Sequence, residues 1–207
     1  AIKSGLNVPI IVATDTQDII NVAERCGQIG IFTSKDHESG SDRIYEALEK
    51  FDPKKKIKKI LHLQGDLPNV SRKLIVSLAN IIKSYKCIAT PVVKADKNEI
   101  SNKNIVKCAA SFKNPNPKIG EIGNALYFSR CSIPWGESIK WHHLGIYGWD
   151  RSILEKYIKL RPSNLEISEK LEQLRALEAG INIKILITNE KPIGIDTISD
   201  LKKFKKS

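Results

Sequence analysis

Methionine is absent from this 207-residue chain, arginine is scarce, and no apolar run is long. Runs such as Pro9-Ile10-Ile11-Val12-Ala13 and Ile183 to Ile187 fall far short of the roughly 20 residues that cross a bilayer, so no membrane partner is expected. The opening Ala1-Ile2-Lys3-Ser4-Gly5 has no initiator methionine and neither the charged nor the apolar region of a secretory signal. A preceding segment is therefore expected. Cys26, Cys87, Cys108 and Cys131 are widely spaced, with no C-x-x-C pair and no histidine at zinc spacing. They read as reduced thiols of a cytoplasmic protein rather than a disulfide framework or zinc site. The net charge of +11 raises the question of nucleic acid, but it comes from 27 lysines and only seven arginines. Arginine is the residue suited to bidentate recognition of phosphates and bases, so no nucleic-acid partner is expected. With 31 isoleucines alongside, the lysine excess fits A/T-rich codon usage. Lys54-Lys55-Lys56-Ile57-Lys58-Lys59 reads as a solvated loop.

What is present is 41% hydrophobic side chains, enough for one domain over residues 1–207. Short β-branched runs alternate with helical spacing. Strands are expected at Ile10–Thr14, Ile29–Phe32, Ile60–Leu63, Cys87–Val93 and Ile183–Ile187. Helices are expected at Asp18–Cys26, Asp42–Phe51, Ser71–Tyr85, Arg151–Lys159, Glu166–Ala179 and Thr197–Phe204. Closely spaced strand candidates at Ile105–Ser111, Ala125–Phe128 and Gly145–Trp149 interrupt the alternation, so residues 94–150 read as a strand-rich insertion. The fold class is α/β: a mixed, mostly parallel sheet with helices on both faces.

Ligands of such sheets bind beyond the carboxyl ends of the strands. Three places qualify. Gln64-Gly65-Asp66-Leu67-Pro68 follows one strand, and Gly194-Ile195-Asp196-Thr197 follows another. Two carboxylates from separate strands, with a substrate phosphate, form the kind of oxygen set that holds Mg²⁺. Each also has a plain reading, Asp66 as a turn anchor and Asp196 as a helix cap. The third place is the polar loop Asp36 to Arg43, which suits an anion or a base edge and equally a capping loop.

Seven blocks occur in an order that resembles one family: His37-x-Ser39-Gly40-Ser41-x-Arg43, Gln64-Gly65-Asp66-x-Pro68, Ala125 to Arg130, Ile133-Pro134-Trp135, His143 to Gly148, Leu171 to Arg175 and Gly194 to Thr197. The chain resembles the 3-deoxy-manno-octulosonate cytidylyltransferases, or CMP-KDO synthetases, from Ile10 to Leu201. The resemblance implies a nucleotidyltransferase of the glycosyltransferase-A-like fold that joins CTP to the sugar acid KDO. It implies Asp66 and Asp196 as catalytic Mg²⁺ ligands, and Ser39, Gly40, Arg43 and Gln64 as nucleotide contacts. Arg130, His143, Glu172, Gln173 and Lys107 fall at sugar-acid positions, with Lys107 also a phosphate candidate. On their own, His143 reads as a half-buried strand histidine, and Glu172 and Gln173 as a solvated helix face. A homodimer is implied, with 94–150 contributing to it. The family's basic phosphate loop has no counterpart in residues 1–207, and it is expected upstream. A cytidylyltransferase for sialic acid, or an inactive truncated homologue, is the competing reading.

Overall fold

In a computed structural model, residues 1–37, 39–195 and 197–204 are described. The β-branched run Ile11–Thr14 forms strand β1, and helix α1 (Gln17–Arg25) follows with Ile20 and Ala23 turned inward. β2 (Ile29–Phe32) lies parallel to β1 in a separate two-stranded sheet. Helix α2 (Gly40–Phe51) begins at Ser39, whose hydroxyl caps it by accepting the Asp42 N–H. β3 (Lys59–His62), α3 (Arg72–Ser84) and β4 (Ile88–Lys94) come next. Ser71 caps α3 through the Leu74 N–H, as its place before an apolar helical run predicts.

The middle of the chain is strand-rich. It holds helix α4 (Lys97–Ile100) and strands β5 (Lys107–Ser111), β6 (Ile122–Ser129), β7 (Trp141–His143) and β8 (Tyr147–Asp150). Helices α5 (Arg151–Ile158), α6 (Asn164–Glu169) and α7 (Gln173–Glu178), strand β9 (Ile183–Ile187) and helix α8 (Ile198–Phe204) complete it.

The large sheet is seven-stranded in the order β3-β8-β4-β7-β5-β6-β9, and β9 also pairs with β4. Strands β4, β7, β5, β6 and β9 thereby close into a ring. The expectation of a mostly parallel sheet needs correction. Within the large sheet only β4–β9 is a parallel ladder. β3 and β4 do point the same way, but β8 runs antiparallel between them. The alternation of strands and helices in the sequence gives the directions of β3, β4 and β9, and it cannot give their neighbours.

The single helix expected over 166–179 is two helices. Lys170 adopts a left-handed conformation at φ 55°, which ends α6. The break leaves Glu169 free to accept from the Ser129 hydroxyl at 2.7 Å and the Arg130 N–H at 3.1 Å. Two apolar layers cover the sheet. On one face Leu48 of α2, Leu154 and Tyr157 of α5 and Leu174 of α7 pack on Ile88, Trp149, Ile183 and Ile185. On the other, Leu74, Leu78 and Ile82 of α3 pack on Ala89, Ile146 and Leu186.

Arg151, whose side chain is only 4% exposed, ties this assembly at the amino ends of β3 and β4. It reaches Asp52 at 2.7 Å, Glu49 at 2.5 Å and Glu155 at 3.2 Å. The Ile57 N–H, with Arg151 helping, lowers the Asp52 carboxyl against the effect of burial. Lys55 and Arg151 do the same for Glu155. Arg151→Met keeps the side-chain length and removes the cation, so it should lower stability by about 3 kcal/mol at neutral pH. Carboxyls with lowered folded-state pKa values stabilise above their unfolded values and lose that contribution as pH falls. The gap between wild type and variant in urea melts should therefore shrink below about pH 4. A gap constant from pH 7 to 3 contradicts an ionised network.

Candidate active site

The site forms where the carboxyl end of β3 meets the turn between β7 and β8 and the amino end of α2. Thr90 on β4, fully buried, organises the turn: its hydroxyl lies 3.0 Å from the Leu144 carbonyl and 2.9 Å from that of Ile146. Because its one proton is directed to these carbonyls, its oxygen accepts from His143 Nε2 at 2.8 Å. That leaves Nδ1 as the unprotonated nitrogen. Burial pushes His143 down to about 3, so the ring is neutral. It sits edge-on to Phe128 at 4.8 Å and 5.6 Å from the Tyr147 ring.

Three contacts join this turn to the expected nucleotide residues. The Gln64 side chain lies so close to Gly145 that a Cβ there would meet its Nε2 at 3.0 Å. His62, on β3, stacks with Tyr147 at 6.2 Å. The same ring sits against Gly40, where a Cβ would meet His62 Cε1 at 2.9 Å. Burial lowers His62 to about 4. Glu172 and Gln173, at the start of α7, reach the same region and pack beside Ser41 and Tyr147. They are not the solvated helix face that their local sequence allows, and burial raises the Glu172 carboxyl. Ser39, Gly40, Gln64, His143, Glu172 and Gln173 are thus brought together.

Others among the expected residues are not. Lys107 is fully buried, and its ammonium donates to the carbonyls of Asn102, Ile105 and Arg130 at 2.9, 2.7 and 2.5 Å. An ammonium has three protons. All are used on main chain, so a phosphate or sugar contact by Lys107 is not supported. Arg130 turns towards the carbonyls of Glu169 and Lys103, and it binds the break between α6 and α7 to β6. Arg43 likewise anchors α2, donating to Thr33 Oγ1 at 2.7 Å and to Asp15 at 3.0 Å. Ser39 fulfils the capping alternative, its hydroxyl also donating to Asp42 at 2.7 Å. His62 and Ser41 join the site without a contact being expected of either from the sequence. His62 carries no local signal at all, since a strand histidine is commonplace.

Asp66 is partly exposed, and no ion pair or side-chain hydrogen bond among the described residues engages its carboxylate. Its carbonyl accepts the Ile195 N–H at 2.9 Å, which brings the segment after β9 to the turn after β3. Asp196 itself lies outside the described residues. The Thr197 hydroxyl, just before α8, accepts the Asp200 N–H at 3.2 Å. One partly exposed carboxylate, with no cation paired to it among the described residues, fits a Mg²⁺ shared with a substrate phosphate.

The packing of Gly40 on His62 yields a test. Gly40→Ala should displace the first turn of α2 and lower kcat/KM for the nucleotide by roughly ten- to a hundredfold. Gly65→Ala, where a Cβ meets nothing within 4 Å, should change it little. Equal effects of the two substitutions would show that the His62 contact does not position the helix.

Comparison with known proteins shows the family. A family profile described as cytidylyltransferase matches residues 1–185. A 3-deoxy-manno-octulosonate cytidylyltransferase of Methylobacterium radiotolerans is 40% identical over 209 residues, covering 99% of this chain and 81% of the relative. One of Mesorhizobium japonicum is 42% identical, covering 99% and 83%. The structure of CMP:2-keto-3-deoxy-manno-octonic acid synthetase complexed with CTP superposes with a TM-score of 0.86 at 29% identity, covering 99% of this chain and 83% of the other. A 4-diphosphocytidyl-2C-methyl-D-erythritol synthase from Anaerococcus prevotii shares the fold, with a TM-score of 0.60 at 13% identity. The architecture is that of an α/β nucleotidyltransferase, and the chain belongs to the cytidylyltransferase family.

Proposed function

We propose that this protein joins CTP and KDO to give CMP-KDO and pyrophosphate, the activated sugar of lipopolysaccharide synthesis. The observation that carries the reading is the convergence of the Ser39–Gly40 helix start, Gln64 and the pair Glu172–Gln173 around the His143–Tyr147 turn. It occurs in a chain 40% and 42% identical, over 99% of its length, to enzymes named for this reaction. The anomeric hydroxyl attacks the α-phosphate in line as pyrophosphate departs, a displacement governed by positioning and charge neutralisation. Ser39 and Gly40 hold the nucleotide at the start of α2, and Gln64 lies between nucleotide and sugar. Neutral His143, with Glu172 and Gln173, offers hydrogen bonds to the sugar hydroxyls. Mg²⁺ held by Asp66 and Asp196 supplies the charge neutralisation when bound.

A homodimer in the cytoplasm belongs to the same reading. Leu126 and Ile139 are exposed apolar residues of the strand-rich part, and Trp135 there is 98% exposed, apolar surface of the kind that a second copy would cover. No helix among the described residues is long and apolar enough to cross a membrane.

The assay is release of pyrophosphate from CTP with KDO or sialic acid, the former expected to be strongly preferred. Asp66→Asn and Asp196→Asn should each remove most turnover and weaken Mn²⁺ binding followed by electron paramagnetic resonance, with thermal stability nearly unchanged. Normal turnover and Mn²⁺ affinity in either variant would exclude that carboxylate from the metal site.

A further inference from the structure

Arg175 closes the Leu171 to Arg175 block of the sequence, yet neither the nucleotide site nor the sugar site gives it a task. Its guanidinium grips Glu166 of α6 with two prongs, Nε to Oε2 at 2.7 Å and Nη2 to Oε1 at 2.5 Å. The same carboxylate accepts the Ser163 N–H at 3.0 Å, so the pair is anchored to the capped start of α6. Held there, the guanidinium lies over the Tyr157 ring, 4.9 Å from its centre. Trp149 packs against that ring at 5.2 Å. The ring is buried, and its hydroxyl donates to the main-chain carbonyl of Glu172 at 3.0 Å.

Glu172 occupies a place that its own helix does not secure. It immediately precedes α7, which has six residues, and the left-handed Lys170 lies two positions before it. A helix so short does not hold itself in place. Leu171 and Leu174 are buried and keep the segment against the core, but apolar contact has no direction. The Tyr157 hydroxyl supplies direction, together with the Arg175 N–H, which meets the same carbonyl at 3.2 Å. Burial raises the Tyr157 phenol, so it stays a donor at neutral pH. From that fixed main chain the Glu172 side chain extends beside Ser39 and Ser41 at the start of α2.

We propose that Tyr157 is a positioning residue for the sugar acid, with Arg175 acting through it. Glu166 orients Arg175, Arg175 and Trp149 fix the Tyr157 ring, and the Tyr157 hydroxyl sets the Glu172 main chain from which Glu172 and Gln173 meet the sugar hydroxyls. This rests on the KDO reading above and adds to it two residues that act from behind the site. The start of α2 is anchored separately, by Arg43 on Thr33 and Asp15, so the nucleotide does not depend on Tyr157.

Tyr157→Phe keeps the ring and removes the hydroxyl. The KDO KM should rise roughly three- to tenfold with the CTP KM unchanged. Arg175→Met should raise the KDO KM too, and the double variant should be no worse than the more affected single one, because both act through one carbonyl contact. A role in stability alone would lower the melting temperature and leave the KDO KM where it was. That outcome in Tyr157→Phe overturns the proposal, as does an equal rise for both substrates, and additive effects in the double variant sever Arg175 from Tyr157. If Arg175→Met fails to fold, Arg175→Lys takes its place; if Tyr157→Phe fails, the Arg175 variants decide by the same comparison of KDO with CTP. Glu172→Ala tests the reading beneath. An unchanged KDO KM there removes the sugar site and the proposal together, whereas a raised one beside a normal Tyr157→Phe enzyme removes the proposal alone.

Discussion

The hydroxyl of Thr90 is the point on which the site depends. β4 is hydrogen-bonded on one edge to β8 at Ile88 and Ala89, then to β7 from Val92 onward, while β9 runs along its other edge. Thr90 and Pro91 occupy the changeover. A proline within a central strand would ordinarily remove a ladder donor. Here it sits where one partner strand ends and the next begins, and its carbonyl accepts the Leu144 N–H at 3.1 Å. Thr90 then fastens the Leu144–Ile146 turn from beneath. The direction of His143, the position of Gly145 under Gln64 and the placement of Tyr147 all follow from that fastening.

Much of the fold is legible where the signal is local. Ile29–Phe32 and Ile183–Ile187 are strands with the boundaries that their apolar runs suggest, and the serine before α3 marks its start. His143 reads correctly as a strand histidine, but the extent of β7 is not legible, because Trp141-His142-His143 has no apolar pattern and its partners lie on β4 and β5. Nor was the break at Lys170, which has neither glycine nor proline to mark it. What stabilises that break is distant: Glu169 reaches Ser129 and Arg130, and Arg175 grips Glu166 at 2.5 and 2.7 Å.

The site divides in the same way. Short polar side chains on rigid turns, such as Ser39 and Gln64, are where their motifs put them. Long cations are not, because a flexible stem lets the tertiary structure choose the target. Lys107 went to strand-end carbonyls and Arg43 to Asp15, and both stabilise the scaffold around the ligands. Buried cations of this kind need full satisfaction, since an unpaired charge in the interior is strongly unfavourable. The lysine-rich composition therefore carries information about architecture at Lys107 and little about ligands elsewhere.

The burial of His62 and His143 has a further result for the proton inventory of the site. Both rings lose their charge far below neutrality, at about 4 and 3. Between pH 5 and 8 these two imidazoles therefore carry a constant, zero charge. A steep dependence of rate on pH across that interval would have to originate in ionisations other than those of these two histidines.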